Sequence, residues 1–162
     1  MIRTRTPRRI EQAAGDRLNS KESAKPVQIA RAGECLLEVE EPDLVIYRLG
    51  GVVDGAQLRA LRAAEGQWNA GKPYLLVLID ISRQKGSTMD ARKASTEPAQ
   101  GTPFRALAVC GGSRYARVLT DLVMRAIRAI TRTELRLGYF DDETSGRAWL
   151  DGQRAELEAK AR

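Results

Sequence analysis

No histidine occurs anywhere in the 162 residues. That absence removes the usual near-neutral acid/base group, the Ser-His and Cys-His nucleophile pairs and the commonest metal ligand. Cysteine is nearly as scarce: Cys35 and Cys110 stand far apart and form neither a metal-like nor a redox-like pair. A reduced, cytoplasmic setting is the simplest expectation. Long apolar runs are missing too. The longest, Tyr74 to Ile79, falls well short of the ~20 residues of a membrane span. The start, MIRTRTPRRIEQ, is basic but leads into no apolar stretch, so no secretory signal is expected.

What is present suits one domain with a tail, since domains commonly hold roughly 100–150 residues. A hydrophobic fraction of 43% supplies a core. The net charge of +6 suggests nucleic acid until it is divided along the chain. Residues 1–31 hold eight basic and three acidic residues, a net +5, and the other 131 hold nineteen and eighteen, a net +1. The basicity therefore belongs to residues 1–32, expected as a disordered tail, and the domain to residues 33–162. A basic arm binds nucleic acid or anionic lipid, but this one lacks interleaved aromatics for stacking on bases. Nucleic acid is thus expected as a partner only through the tail.

From Gly33 onward the pattern is regular. "CLLEVEEPDLVIYRLGG" reads as strands at 36–40 and 44–49 around a Glu41-Pro42-Asp43 turn. Gly50-Gly51 breaks the second, and Asp54 sits at a helix N-cap position. Leu58, Leu61 and Trp68 follow at helical spacing, Arg59 and Arg62 lie off that stripe, and Gly71 stops the helix. Residues 74–80, YLLVLID, are apolar on both faces, as in a central strand. A polar loop and a short helix from Met89 to Glu97, ended by Pro98, come next. A strand at 104–110 leads into a long helix opening at Ser113, with Val118, Leu119, Leu122, Ile127 and Ile130 as its core side. "LRLGYF" is the last strand, and a helix over 141–160, anchored by Trp149 and Leu150, closes the chain.

The order ββαβαβαβα implies an α/β fold with a mixed, largely parallel sheet of about five strands. In such sheets ligands and partners meet the rim at the carboxyl ends of the strands. Three segments share that rim: Gly50 to Asp54, Ser82 to Thr88 and Gly111 to Ser113. The candidate regulatory or partner-binding residues are Asp80, Ser82, Ser87, Thr88, Asp90, Gly111, Gly112 and Ser113.

Each has a plain structural reading beside the functional one. Asp80 and Asp90 are the best-spaced carboxylate pair, but Asp80 ends a strand and Asp90 opens a helix. Asp141-Asp142-Glu143 reads as an acidic helix start rather than a metal site. Gly111-Gly112-Ser113 resembles a phosphate-cradling turn, matches neither the P-loop nor the dinucleotide fingerprint, and equally serves a tight turn capped by Ser113. Cys110 is either a thiol activated by the helix start or an inert strand cysteine. Ser87 begins a Ser-x-x-acid capping box with Asp90. The row Arg114, Arg117, Arg125, Arg128 and Arg132 around Asp121 faces an anionic membrane, an acidic partner, or simply water, with Arg117 and Asp121 paired one turn apart. No cofactor or metal is expected, and these missing parts argue against an enzyme.

The hairpin, "LLVLIDIS" with its polar loop, "LAVCGGSRYARVL" and "GYFDDETSGRAWL" together resemble the STAS/CRAL-TRIO-like family of bacterial SpoIIAA-like proteins over about residues 33–155. The resemblance implies two functions. STAS-type anti-sigma-factor antagonists dock a protein partner and are switched by phosphorylation of a Ser or Thr at a helix start after a central strand; CRAL-TRIO relatives hold a lipid-like molecule in an apolar cavity. The antagonist motif, Asp-Ser-Ser-Gly-like, is not intact. Overlaid from Asp80, its Ser pair falls opposite Met89 and Asp90. A slip of two residues brings in Ser87 and Thr88, with no Gly after them. If Asp90 takes the regulated position, the domain docks its partner without a switch. The expected function is therefore regulatory protein–protein interaction, with apolar small-molecule carriage second and an unrecognised enzyme third.

Overall fold

In the computed structural model, residues 25–97, 101–131 and 135–161 are described. The elements are β1 (Val27–Ala32), β2 (Cys35–Glu40), β3 (Leu44–Val53), α1 (Gly55–Trp68), β4 (Leu75–Ser87), α2 (Met89–Thr96), β5 (Phe104–Cys110), α3 (Arg114–Thr131), β6 (Arg136–Phe140) and α4 (Glu143–Lys160). The α/β alternation is as expected, with one strand more. β1 falls on residues that composition alone put in the tail, and it pairs antiparallel with β2. As a half-exposed edge strand it carries no continuous apolar signature. Residues 1–24, the bulk of the expected tail, lie outside the described residues.

The six strands stand in chain order, β1-β2-β3-β4-β5-β6. β1 to β3 form an antiparallel meander, and β3 to β6 run parallel. When strand order never reverses, right-handed crossovers put every connecting helix on the same face. Accordingly Leu61 of α1, Ala91 of α2 and Met124 of α3 join one core with Tyr47, Val77, Ile81, Leu107 and Val109. Among the described residues only α4, after the last strand, supplies a helix to the opposite face. There Leu150, Trp149 and Leu157 pack on Leu44, Ile46, Leu76, Leu78, Ala106 and Ala108.

Small residues let α4 lie close. A Cβ on Gly146 would run into Cys110 Sγ, and the Phe140 and Trp149 rings meet with centroids 5.5 Å apart. One helix cannot cover six strands, so the neighbouring part of this face carries charge. Arg147 of α4 donates to Glu40 at 2.8 Å, and Arg154 donates to the buried Asp43 at 2.8 Å.

Local signals account for most helix ends. Asp54 caps α1 in a capping box, accepting from Gln57 N at 2.8 Å while Gln57 Oε1 accepts from Asp54 N at 3.0 Å. α4 begins at Glu143 with Asp142 as its cap, two residues later than expected. α3 departs from its expected packing: Val118 and Leu122, assigned to the core side, are exposed. The side chains of Leu119, Ile127 and Ile130, and Pro98 after α2, lie outside the described residues.

Candidate functional site

The expected rim has two parts. β5 ends at Cys110, level with Asp80 of β4. β3 and β4 continue beyond it as a pair, from Gly50↔Arg83 to Val53↔Ser87, and Thr88 N closes the ladder on Val53 O at 2.9 Å. The polar segment expected as a loop from Ser82 is therefore strand as far as Ser87. Its backbone pairs with Gly50-Gly51-Val52-Val53, and two register shifts absorb the extra residues of β4. At ~3.3 Å per residue the extension separates Asp80 from Ser87 by about 20 Å.

At the near end stand Asp80, Ser82, Gly111, Gly112 and Ser113. Asp80 Oδ1 accepts from Ser82 N at 2.9 Å, and its Oδ2 lies 3.4 Å from Arg48 Nη1. Gly111 sits against Ser82: an added Cβ would come within 2.9 Å of the Ser82 Cβ. Gly111 and Gly112 have φ of 71° and 78°, the left-handed turn that glycine permits. Arg117 Nε donates to Gly111 O at 3.2 Å, and its Nη2 to Asp141 at 2.8 Å. The expected Arg117–Asp121 pair is not formed; Asp121 takes Arg125 instead, at 2.7 Å.

The carboxylates here are engaged by arginine. Arg48 binds Glu38 at 2.8 Å and Glu143 at 2.7 Å, and Arg147 binds Glu143 at 2.8 Å. The Arg48 guanidinium, with Arg147 behind it, holds the Glu143 carboxyl below its ordinary pKa. Burial, reinforced by Asp80, Glu143 and Asp142, pushes the Cys110 thiol up to about 11. Cys110 is thus the inert strand cysteine of the two readings.

At the far end stand Ser87, Thr88 and Asp90. Thr88, not Ser87, caps α2, its Oγ1 accepting from Ala91 N at 3.1 Å. Ser87 Oγ instead lies 3.4 Å from Arg92 Nε. α1 holds α2 at both ends. Arg59 donates to Asp90 at 2.9 and 3.0 Å and to Glu97 at 2.8 Å, while Arg62 donates to Ala94 O at 2.7 Å and Glu97 O at 2.9 Å. Hydrogen bonding from Arg59 lowers the pKa of both carboxyls. Gly55 makes this contact possible, because a Cβ there would strike the Asp90 carboxyl. The helix so fixed presents Met89 at its first position, 81% exposed.

Asp80 and Asp90 are thus not brought together as a carboxylate pair. Sequence reasoning also passed over Arg48, named Met89 only as a helix start and as lying opposite the antagonist motif's Ser pair, and gave no role to Arg59 and Arg62. The signal for the last two was their position off the core stripe of α1, three residues apart. A second polar group lies away from the rim, inside the core: Tyr47 donates its hydroxyl to Glu65, and Asn69 Nδ2 donates to the same carboxylate at 3.2 Å. Burial raises the Glu65 pKa.

The fold is a mixed α/β domain with a six-stranded, largely parallel sheet, and it is the fold that comparison with known proteins addresses. Among solved structures the chain is similar to an uncharacterized protein of the DUF3478 family with a SpoIIAA-like fold, from Shewanella loihica PV-4. The two share 19% identity and a TM-score of 0.54, over 72% of this chain and 91% of that one. Identity at that level shows the fold alone. No family model and no curated protein matches the chain. No helix of the described residues is long and apolar enough to cross a membrane.

Proposed function

We propose that this chain is a non-catalytic, STAS-like regulatory domain of the cytoplasm that works by docking a protein partner on the β4–α2 junction, in signalling of the bacterial anti-sigma type. The observation that carries the reading is the far end of the β3–β4 extension. Two paired strands reach past the sheet and deliver a helix start clamped by Arg59 and Arg62, with Met89 in water at its tip. Apolar side chains exposed on a rigid mount are what a docking surface offers. The strand order supports the same reading. Doubly wound sheets bind small ligands where the order reverses, and β3 to β6 never reverse. Asp90, opposite the antagonist motif's Ser pair, is held at the helix start by Arg59, so the reading is of docking without a phosphoryl switch.

The test places a photo-crosslinking amino acid at Met89 in the native host, with the exposed Ala159 of α4 as the control position. A defined protein adduct at 89 and none at 159 is the expected outcome. No adduct at 89, or an apolar molecule released on denaturing the purified protein in native mass spectrometry, would overturn the reading. Phosphate mapped to residues 82–96 would overturn the unswitched form of it.

A further inference from the structure

α3 leaves two large apolar side chains in water. Val118 and Leu122, one helical turn apart, are 54% and 58% exposed, whereas Met124 is buried in the core. With Tyr139 of β6 they line a groove bordered by Arg117, Asp121 and Arg125. The acid of the groove is already engaged, because Asp121 accepts from Arg125 Nε at 2.7 Å and from the Tyr139 hydroxyl at 3.2 Å. Arg125 stays 75% exposed despite that pair. Arg114, also exposed, stands one turn before Val118. The exposed row on α3 is therefore cation, two apolar residues, cation.

We propose that the α3–β6 groove docks an amphipathic helical segment of a partner protein, with two large apolar side chains one turn apart bordered by carboxylates. An apolar pair at i and i+4 is the spacing at which one helix meets another. Arg117 is held by Asp141 and Arg125 by Asp121; with Arg114 the border keeps a net positive charge, which favours acidic neighbours over basic ones. Tyr139 of β6, beside α3, extends the apolar strip beyond the helix itself. This inference rests on the reading of the chain as a partner-docking domain and adds a second docking surface, apart from the β4–α2 junction, with the chemistry of its occupant.

The probe is a synthetic peptide of about 18 residues, long enough for helix, with two leucines at i and i+4 flanked by glutamates. It is titrated into the full-length, nitrogen-15-labelled chain. A second peptide carries lysines in place of the glutamates, and phosphatidylglycerol vesicles stand for the membrane. The acidic peptide is expected to shift the amide resonances of residues 117–125 and 139. Leu122→Ser and Arg125→Glu, both at exposed positions, should each weaken it about tenfold, and Arg125→Glu should gain affinity for the lysine peptide. Unmoved resonances, equal binding of both peptides, or response to vesicles without response to the acidic peptide would each overturn the proposal. None of those results touches the crosslink at Met89, and a missing crosslink leaves the groove standing, so the two failures are distinguishable.

Discussion

Replacing Tyr47 by Phe removes one hydroxyl from the core and leaves the buried Glu65 carboxylate with Asn69 as its remaining donor of the two. A hydrogen bond to a charged group contributes about 1.5–3 kcal/mol. For a chain of this length that corresponds to a loss of about 6 °C in Tm. The pH dependence is the sharper test. Burial raises the folded-state pKa of Glu65, and the Tyr47 hydrogen bond opposes that rise. A folded carboxyl that holds its proton above the unfolded pKa makes stability fall as pH rises from about 4.3 through the folded value. Without Tyr47 the folded pKa climbs further, so the cost of Tyr47→Phe should grow as pH is raised from about 5 to about 8. Glu65→Gln keeps an acceptor for the Tyr47 hydroxyl and should abolish this part of the dependence. Urea unfolding followed by circular dichroism at the two pH values measures both. An equal cost at both, or a cost under about 0.5 kcal/mol, would refute the argument.

Two further outcomes are expected. Thr88→Ala should lower stability by about 1 kcal/mol and Ser87→Ala by no more than about 0.5 kcal/mol, because Thr88 is the cap; urea unfolding yielding the reverse order would return the cap to Ser87. Gly146→Ala should cost about 1–3 kcal/mol through the clash with Cys110 Sγ, largely restored by Cys110→Ala. The same thiol, raised to about 11 and buried, should resist iodoacetamide in the folded protein at about pH 8; labelling as fast as a free cysteine would contradict its placement.

Elements whose side chains declare their burial were legible in the sequence. β5 matches its expected span, and Asp54 caps α1 because an acid after a Gly-Gly break and before a leucine stripe has few other uses. What was missed is held by partners distant in sequence. β1 is held by pairing with β2 and by Ile29, Ala30 and Ala32 packed on the core. Residues 82–87 look like loop because their polar side chains carry no strand pattern, and only the pairing with Gly50 to Val53 makes them strand. Val118 and Leu122 obey helical spacing, yet periodicity cannot say which side of a helix the sheet takes. The candidate residues were assigned to a rim by topology, while the division of that rim followed from the unequal lengths of β4 and β5. Arg59 and Arg62 were visible as off-stripe cations, but that their targets lie on α2 is a tertiary fact.

The strand order also bears on how the chain assembles during synthesis. Each strand pairs with the one made just before it, so the sheet can lengthen in the direction of translation without waiting for distant segments. The face covered by α4 is the exception. Leu44, Ile46, Leu76 and Leu78 are made long before residues 143–160. Until that helix emerges, those side chains stay uncovered on a nascent sheet, the stage at which chaperones and neighbouring chains compete with folding. Glu38, Glu40 and Arg48 on the same face keep part of it charged through that interval, and afterwards Glu40 and Arg48 pair with the helix that closes it.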